Sequence, residues 1–198
     1  MSAASDRRVL GLFGSPRKGG NTDILLEEFL RGCREGGATC ERVQICQLQV
    51  GGCRGCGGCE KTGRCVVEDD MQPVYEALDR SDRIVMAVPI YFYNVPAQAK
   101  AVIDRSQALW TRKYMRQKAG KGPVTRAGRR GFFIGVGATR GKRLFDGTIH
   151  TMRYFFDAVD VEYAGALLYG EVDEKGAIRR HPTAMKECYE AGLQFVST

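Results

Sequence analysis

The sequence predicts an α/β fold, a three-layer, doubly wound, five-stranded parallel sheet with strand order 2-1-3-4-5. Short apolar runs of strand character alternate with runs whose apolar residues recur at helical spacing, the pattern of a parallel sheet covered on both faces. Only five strand runs are present, too few for a six-stranded dinucleotide-binding order, and each is followed by a helix or by a loop and a helix. A chain of 198 residues with 43% hydrophobic content can bury one full core, and no repeat, low-complexity segment or linker divides it. Residues 1–198 are therefore expected to form a single domain.

The elements follow in order. Arg8 to Phe13 (RVLGLF) is the first strand. From Thr22, Leu25, Leu26, Phe29, Leu30 and Cys33 recur at helical spacing, and Gly36-Gly37 stop that helix. Glu41 to Cys46 is the second strand. Asp70 can cap a short helix over Gln72 to Leu78, with Pro73 tolerated in its first turn. Arg83 to Val88 (RIVMAV) is the continuous, central third strand. A long helix from Val95 or Pro96 to about Trp110 precedes a basic loop and the fourth strand, Gly131 to Val136. A helix over Leu144 to Val159, a fifth strand over Glu162 to Leu168 and a last helix from Pro182 to Val196 complete the chain.

The crossover from Gln47 to Asp82 is longer than one helix needs, and its surplus is a cysteine-rich loop at residues 47–70. Within it Cys53, Cys56, Cys59 and Cys65 are spaced C-x2-C-x2-C-x5-C. Three thiolates two residues apart can wrap one face of a cubane, and Gly55, Gly57 and Gly58 let the backbone turn between them. The last gap of five residues, with Val66 rather than Pro following and no second run, points to one self-contained [4Fe–4S] site. Two other readings stay open. Zinc prefers two pairs joined by a longer arm, and unmetallated thiols beside Arg54, Lys61 and Arg64 would be redox-reactive. Cys33, Cys40, Cys46 and Cys188 are scattered over a helix, a strand and another helix, and are read as small buried hydrophobes.

Ligands of open α/β sheets bind beyond the carboxyl ends of the strands. After the first strand comes GSPRKGGNT, where Ser15, Asn21 and Thr22 offer donors and Arg17 and Lys18 positive charge at a helix N-terminus, a setting that suits phosphate. The turn matches neither a Walker A loop nor G-x-G-x-x-G. After the third strand, Pro89, Ile90, Tyr91, Phe92, Tyr93 and Asn94 place three aromatics in a row, which can flank a flat ring system or simply fill a core. After the fourth, Gly137, Thr139 and Gly141 leave room for close backbone approach. A phosphate site, an aromatic wall and a glycine gap suit flavin mononucleotide better than a dinucleotide.

The net charge is +7, and the stretch Arg112 to Arg130 carries no acid. It reads as a solvated loop, as an anion-binding rim or as a site for an acidic electron-transfer partner; no nucleic-acid module accompanies it, so nucleic acid is not an expected partner. MSAASDRRVLGLFG lacks the apolar stretch of a secretory signal and no transmembrane run occurs, so a cytoplasmic protein with reduced thiols and no membrane partner is expected. His150 and His181 sit among no paired acids and read as structural, and no residue is required as a catalytic acid or base.

GSPRKGGNT, the cysteine loop running into VVEDDM, PIYFYNVPAQAKAVIDR and EKGAIRRHPTAMKECYEAG together resemble the iron–sulfur flavoproteins of the NADPH-dependent FMN reductase superfamily over nearly the whole chain. The resemblance implies a flavodoxin-like fold binding FMN and a [4Fe–4S] cluster. It implies a phosphate loop at Ser15, Arg17, Lys18, Asn21 and Thr22, a segment along the isoalloxazine at Pro89 to Asn94, and cluster ligands at Cys53, Cys56, Cys59 and Cys65. It further implies a homodimer or homotetramer in which cluster and flavin of different subunits approach, served by a small redox partner such as NAD(P)H or ferredoxin. Three functions follow: an electron-transfer iron–sulfur flavoprotein, a cluster-free NAD(P)H-dependent FMN or quinone reductase, and a flavin-binding regulatory module without turnover.

Overall fold

The computed structural model describes residues 7–122 and 128–197. Five parallel strands form one sheet in the order β2-β1-β3-β4-β5: β1 Arg8–Phe13, β2 Thr39–Gln44, β3 Arg83–Pro89, β4 Arg130–Val136 and β5 Glu162–Tyr169. This is the flavodoxin-like arrangement expected from the sequence. The central strand shows why it forms. Ile84, Met86 and Val88 of β3 enter one core while Val85 and Ala87 enter the other, so alternate side chains bury both sheet faces.

On one face lie α1 (Asn21–Glu35) and α6 (Ala184–Ser197). They cross closely because Gly32 and Gly192 have no side chain. A Cβ on Gly32 would collide with the Tyr189 carbonyl, and one on Gly192 with the Phe29 carbonyl. The other face carries α2 (Met71–Arg80), α3 (Ala97–Arg105), α4 (Gln107–Lys118) and α5 (Asp146–Ala158).

Four expectations are corrected in detail. β2 begins at Thr39 and ends at Gln44, because its register with β1 runs from Arg8↔Thr39 to Phe13↔Gln44; Ile45–Gln47 turn into a short 3-10 helix. The long helix after β3 is two helices. Ser106 breaks it, its hydroxyl donating to the Val102 carbonyl at 3.0 Å in competition with the backbone ladder. The first part of the basic stretch is helix rather than loop, since Arg, Lys, Gln and Met are good helix formers and α4 runs to Lys118. Residues 123–127 of that stretch lie outside the described residues. Finally, Asp70 precedes α2 without capping it. Its carboxylate accepts the Gln49 N–H at 2.7 Å, and Asp69 Oδ1 accepts the Met71 N–H at 3.0 Å.

Candidate cofactor sites

All five strands are parallel, so the turns after β1, β3, β4 and β5 meet at one edge of the sheet. They enclose a cleft of about 90 Å³. Ser15, Arg17, Asn21 and Thr22 line it from the first turn, Pro89, Ile90 and Tyr91 from the second. Lys18 is exposed and lies outside the lining.

The polar groups of the first turn are unequally engaged. Ser15 Oγ accepts the Arg17 N–H at 3.1 Å, and Arg17 Nη1 donates to the Asp173 carbonyl at 3.1 Å. Asn21 is spent on both ends of its carboxamide, donating to the Glu174 carbonyl at 2.9 Å and accepting the Ile178 N–H at 3.3 Å. Thr22 differs: its hydroxyl oxygen is buried with no hydrogen-bond partner. Gly20 precedes α1 and supplies no side-chain cap, so the helix N-terminus, with its partial positive charge, is left for a ligand. An orphaned hydroxyl at an uncapped helix start fits a phosphate. Asp23, one residue on, accepts the Gly19 N–H through Oδ2 at 2.8 Å and leaves Oδ1 buried and unpartnered. Burial foremost raises its pKa above the ordinary aspartate value, with the Gly19 N–H pulling the other way.

The aromatic segment is a tight turn. Tyr91 N–H donates to the Asn94 carbonyl at 2.8 Å and Asn94 N–H to the Tyr91 carbonyl at 2.9 Å. Phe92 and Tyr93 both take left-handed backbone conformations, φ +48° and +61°, uncommon for residues with bulky side chains. Phe92 is fully exposed, 102%, and only Tyr91 of the three reaches the cleft lining. Tyr93 Oη lies where a Cβ on Gly141 would approach to 2.7 Å, so these two predicted residues do meet. Asn94 Oδ1 is taken by the Val95 N–H at 2.8 Å and the Thr151 hydroxyl at 3.2 Å. Gly137 pairs through its N–H with the Tyr169 carbonyl and Thr139 is exposed; neither lines the cleft, whereas their neighbour Ala138 does. Val172 and Asp173, after β5, also line it and were missed by sequence reasoning, which followed only the first, third and fourth strands.

Cys53, Cys56, Cys59 and Cys65 all line a second cleft, of about 370 Å³, between the cysteine loop and the α3–α4 junction. Gly55, Gly57 and Gly63 take positive φ between +62° and +70°, which lets the loop double back. Cys53 and Cys56 are exposed, Cys59 and Cys65 half-buried. Among the described residues no three His, Cys, Asp or Glu side chains close into a metal-holding group. The donor set of four thiols facing one cleft nonetheless fits an iron–sulfur cluster. Cys59 Sγ lies 3.7 Å from Thr111 Oγ1. Burial pushes the Cys65 thiol up, but the Val67 N–H, Arg105 and Tyr75 outweigh it and leave its pKa below the ordinary thiol value.

Arg105, unremarked in the sequence, is the most heavily engaged side chain at this cleft. It is 2% exposed. Its guanidinium pairs with both oxygens of Asp69 and donates to the Gly51 and Val67 carbonyls, each at 3.1 Å. Its Nε–H is buried without a partner. The two clefts have no lining residue in common. α3 starts near the ligand edge of the sheet, and its nine residues carry the chain roughly 13 Å away to Arg105.

The remaining cysteines sit elsewhere. Cys33 and Cys188 are buried, Cys40 and Cys46 half-buried. Burial foremost pushes the Cys46 thiol up to about 11 and the Cys188 thiol up to about 12. His150 lies on α5, and His181 Nδ1 accepts the Thr183 and Ala184 N–H groups at 3.3 and 3.1 Å, capping α6. In the basic stretch, Arg112 pairs with Asp79 and Lys113 with Asp157. No described helix is long and apolar enough to cross a membrane.

A family model described as NADPH-dependent FMN reductase matches residues 7–163. An iron-sulfur flavoprotein from Methanosarcina thermophila is 35% identical over 191 residues, 96% of this chain and 90% of that protein. An iron-sulfur flavoprotein from Archaeoglobus fulgidus is 36% identical over 121 residues, 61% of this chain and 55% of that protein. Among solved structures, an NAD(P)H:quinone oxidoreductase from Methanothermobacter marburgensis matches with a TM-score of 0.71 at 18% identity, covering 96% of each chain, a likeness of fold alone.

Proposed function

The chain belongs to the NADPH-dependent FMN reductase family, in its iron–sulfur flavoprotein branch, and from that premise we propose that it passes electrons between a reduced donor, a [4Fe–4S] cluster, FMN and an acceptor. The coarser activity, an FMN-dependent oxidoreductase, follows from family membership. The single observation that carries the finer reading is the placement of Cys53, Cys56, Cys59 and Cys65 on one cleft. The rest of the chain fits one FMN domain, residues 1–198, with the cysteine loop at 47–70 as its insertion.

Bound FMN takes two electrons as a hydride and can release them singly, while a [4Fe–4S] cluster carries one at a time. Thr22, with the uncapped start of α1, binds the phosphate; Ser15, Arg17 and Asn21 hold the turn in shape for it, and Lys18 adds long-range attraction. Pro89, Ile90 and Tyr91 form the wall along the ring, and Phe92, Tyr93 and Asn94 rigidify or screen it. Of the turn after β4, Ala138 faces the cleft, while Gly137 and Gly141 leave room for the side chains of Leu144 and Tyr93 and Thr139 stands exposed beside them. The four cysteines hold the cluster. Electron passage between subunits of a homodimer or homotetramer is part of this reading by family resemblance, the two clefts being separate on the single chain. The donor class is a nicotinamide or a ferredoxin.

A second reading has its own support. Cys53 and Cys56 are exposed and no metal-holding group closes among the described residues, which favours a cluster-free NAD(P)H-dependent FMN or quinone reductase. Anaerobic reconstitution followed by iron and sulfide counting on wild type, Cys59→Ala and Cys188→Ala separates the two. The proposal expects iron in wild type and Cys188→Ala and its loss in Cys59→Ala, with FMN retained in all three. Trace iron in reconstituted wild type, or equal iron in wild type and Cys59→Ala, overturns the cluster and favours the plain reductase.

A further inference from the structure

We propose that Arg105 is the positioning residue of the cysteine loop: one buried guanidinium ties the loop at both ends and so keeps the four thiols on one cleft. The metal half of this inference rests on the cluster reading above; the closure itself does not.

The geometry is specific to the two ends of the loop. Gly51 stands just before the first thiol and Val67 just after the last, and both carbonyls accept from the same side chain, the Val67 carbonyl also taking the Gln72 Nε2–H at 2.9 Å. Asp69 completes the closure from the protein side. Its carboxylate pairs with Arg105 and also accepts the Gly51 N–H at 3.2 Å and the Met71 N–H at 3.0 Å, so Gly51 is held through both its N–H and its C=O. Arg105 is itself fixed from behind, its carbonyl accepting the Tyr75 hydroxyl of α2 at 2.7 Å. The bonds recorded within residues 52–66 are few: Thr62 with the Arg64 backbone, and the short 3-10 turn at Gly58–Glu60 with the Gly63 N–H closing it. Few bonds thus hold the loop from within; its shape comes from its base and from the packing of Cys59 and Gly63 on Thr111 and Arg112 of α4.

Arginine is suited to this task and lysine is not. Four acceptor oxygens on three residues, two carbonyls and one carboxylate, need a planar fork of five N–H donors, whereas an ammonium is a point donor on a flexible stem. The fifth donor, Nε–H, is buried and unpartnered on a residue that lines the four-thiol cleft. A buried N–H without an acceptor is costly, and sulfur from a bound cluster is the class of acceptor this cleft would supply.

The test uses the full chain as wild type, Arg105→Lys and Arg105→Met, each measured for FMN content, for iron and sulfide after anaerobic reconstitution, for the electron paramagnetic resonance signal of the reduced cluster, and for amide exchange of residues 51–71 before metal is added. The proposal expects both variants to keep FMN. It expects exchange across the loop to quicken by about tenfold or more in Arg105→Met, and iron loading to fall several-fold with an altered resonance signal in whatever loads. Arg105→Lys, which keeps the charge opposite Asp69 but cannot reach both carbonyls, should fold even if Arg105→Met does not, and should show the same exchange defect. Wild-type exchange rates in the variants overturn the closure. Wild-type iron content and resonance signal in a variant whose loop does exchange faster overturn the metal half. Wild type that loads no iron overturns the cluster reading and the metal half together, and the exchange measurement then decides the closure alone.

Discussion

Asn21 and Ile178 are joined through the Asn21 Oδ1, which accepts the Ile178 N–H at 3.3 Å while the same carboxamide donates to the Glu174 carbonyl. The start of α1 is thereby tied to the turn between β5 and α6, two segments remote in sequence. Asn21→Ala strands the buried Ile178 N–H, and an unmade buried hydrogen bond costs about 2 kcal/mol. The FMN-free variant is expected to unfold at lower denaturant than wild type by that amount; an unchanged midpoint would show that the tie contributes nothing.

Thr22 should behave in the opposite way. Its hydroxyl has no partner in the chain, so Thr22→Val, close in shape, leaves FMN-free stability unchanged or higher by up to about 1 kcal/mol. A hydrogen bond to a phosphate is stronger, and its loss should raise the FMN dissociation constant about tenfold. Equilibrium dialysis checks the affinity and chemical denaturation the stability. Equal affinity in the variant removes the phosphate from this end of α1.

Asp23 gives a pH dependence. Its carboxyl is held above 3.8 by burial first, with Glu27 adding to the rise and the Gly19 N–H, Arg42 and Lys175 opposing it. The folded state thus binds the proton more tightly than the unfolded one, and stability from this group is lost as pH rises past the ordinary aspartate value. Asp23→Asn keeps an acceptor for the Gly19 N–H without the charge. The variant should be the more stable protein near pH 7, with the advantage shrinking to nothing as the pH is lowered toward about 3. A constant difference between the two proteins over a denaturation series in that range contradicts the assignment.

Phe92 is fully exposed and sits in a left-handed conformation, so its side chain makes no packing contribution to offset the backbone cost. Asparagine tolerates that conformation, and Phe92→Asn is expected to stabilise the FMN-free protein by about 1 kcal/mol. If the ring serves the flavin, the fluorescence and reduction potential of bound FMN change at the same time. A less stable variant would mean that the turn is not strained.

The strands were legible because β3 and its neighbours alternate or run apolar without interruption, and their order follows from having five runs and parallel crossovers. Helix ends were harder. Nothing local marks Ser106 as a break, since its effect arises from a hydroxyl bond to Val102 one turn back. The cleft at the sheet edge was legible from GSPRKGGNT and PIY, but which groups remain unspent was not. Asn21 looks like a ligand donor in sequence and is consumed by Glu174 and Ile178, which no local pattern connects to it. Arg105 escaped notice for the same reason, its partners lying more than thirty residues away at Gly51, Val67 and Asp69.

The closure at Gly51 and Val67 has an entropic consequence. A segment of about 15 residues free at one end explores far more shapes than the same segment pinned at both, and cross-linking a loop of that size removes about 3 kcal/mol of chain entropy from the open state. Arg105 acts as a reversible staple across residues 52–66, in place of a covalent bridge. With the ends held, the effective concentration of each thiol toward the others is raised in the metal-free chain, so any metal the four thiols take up would order a loop already confined rather than an open chain.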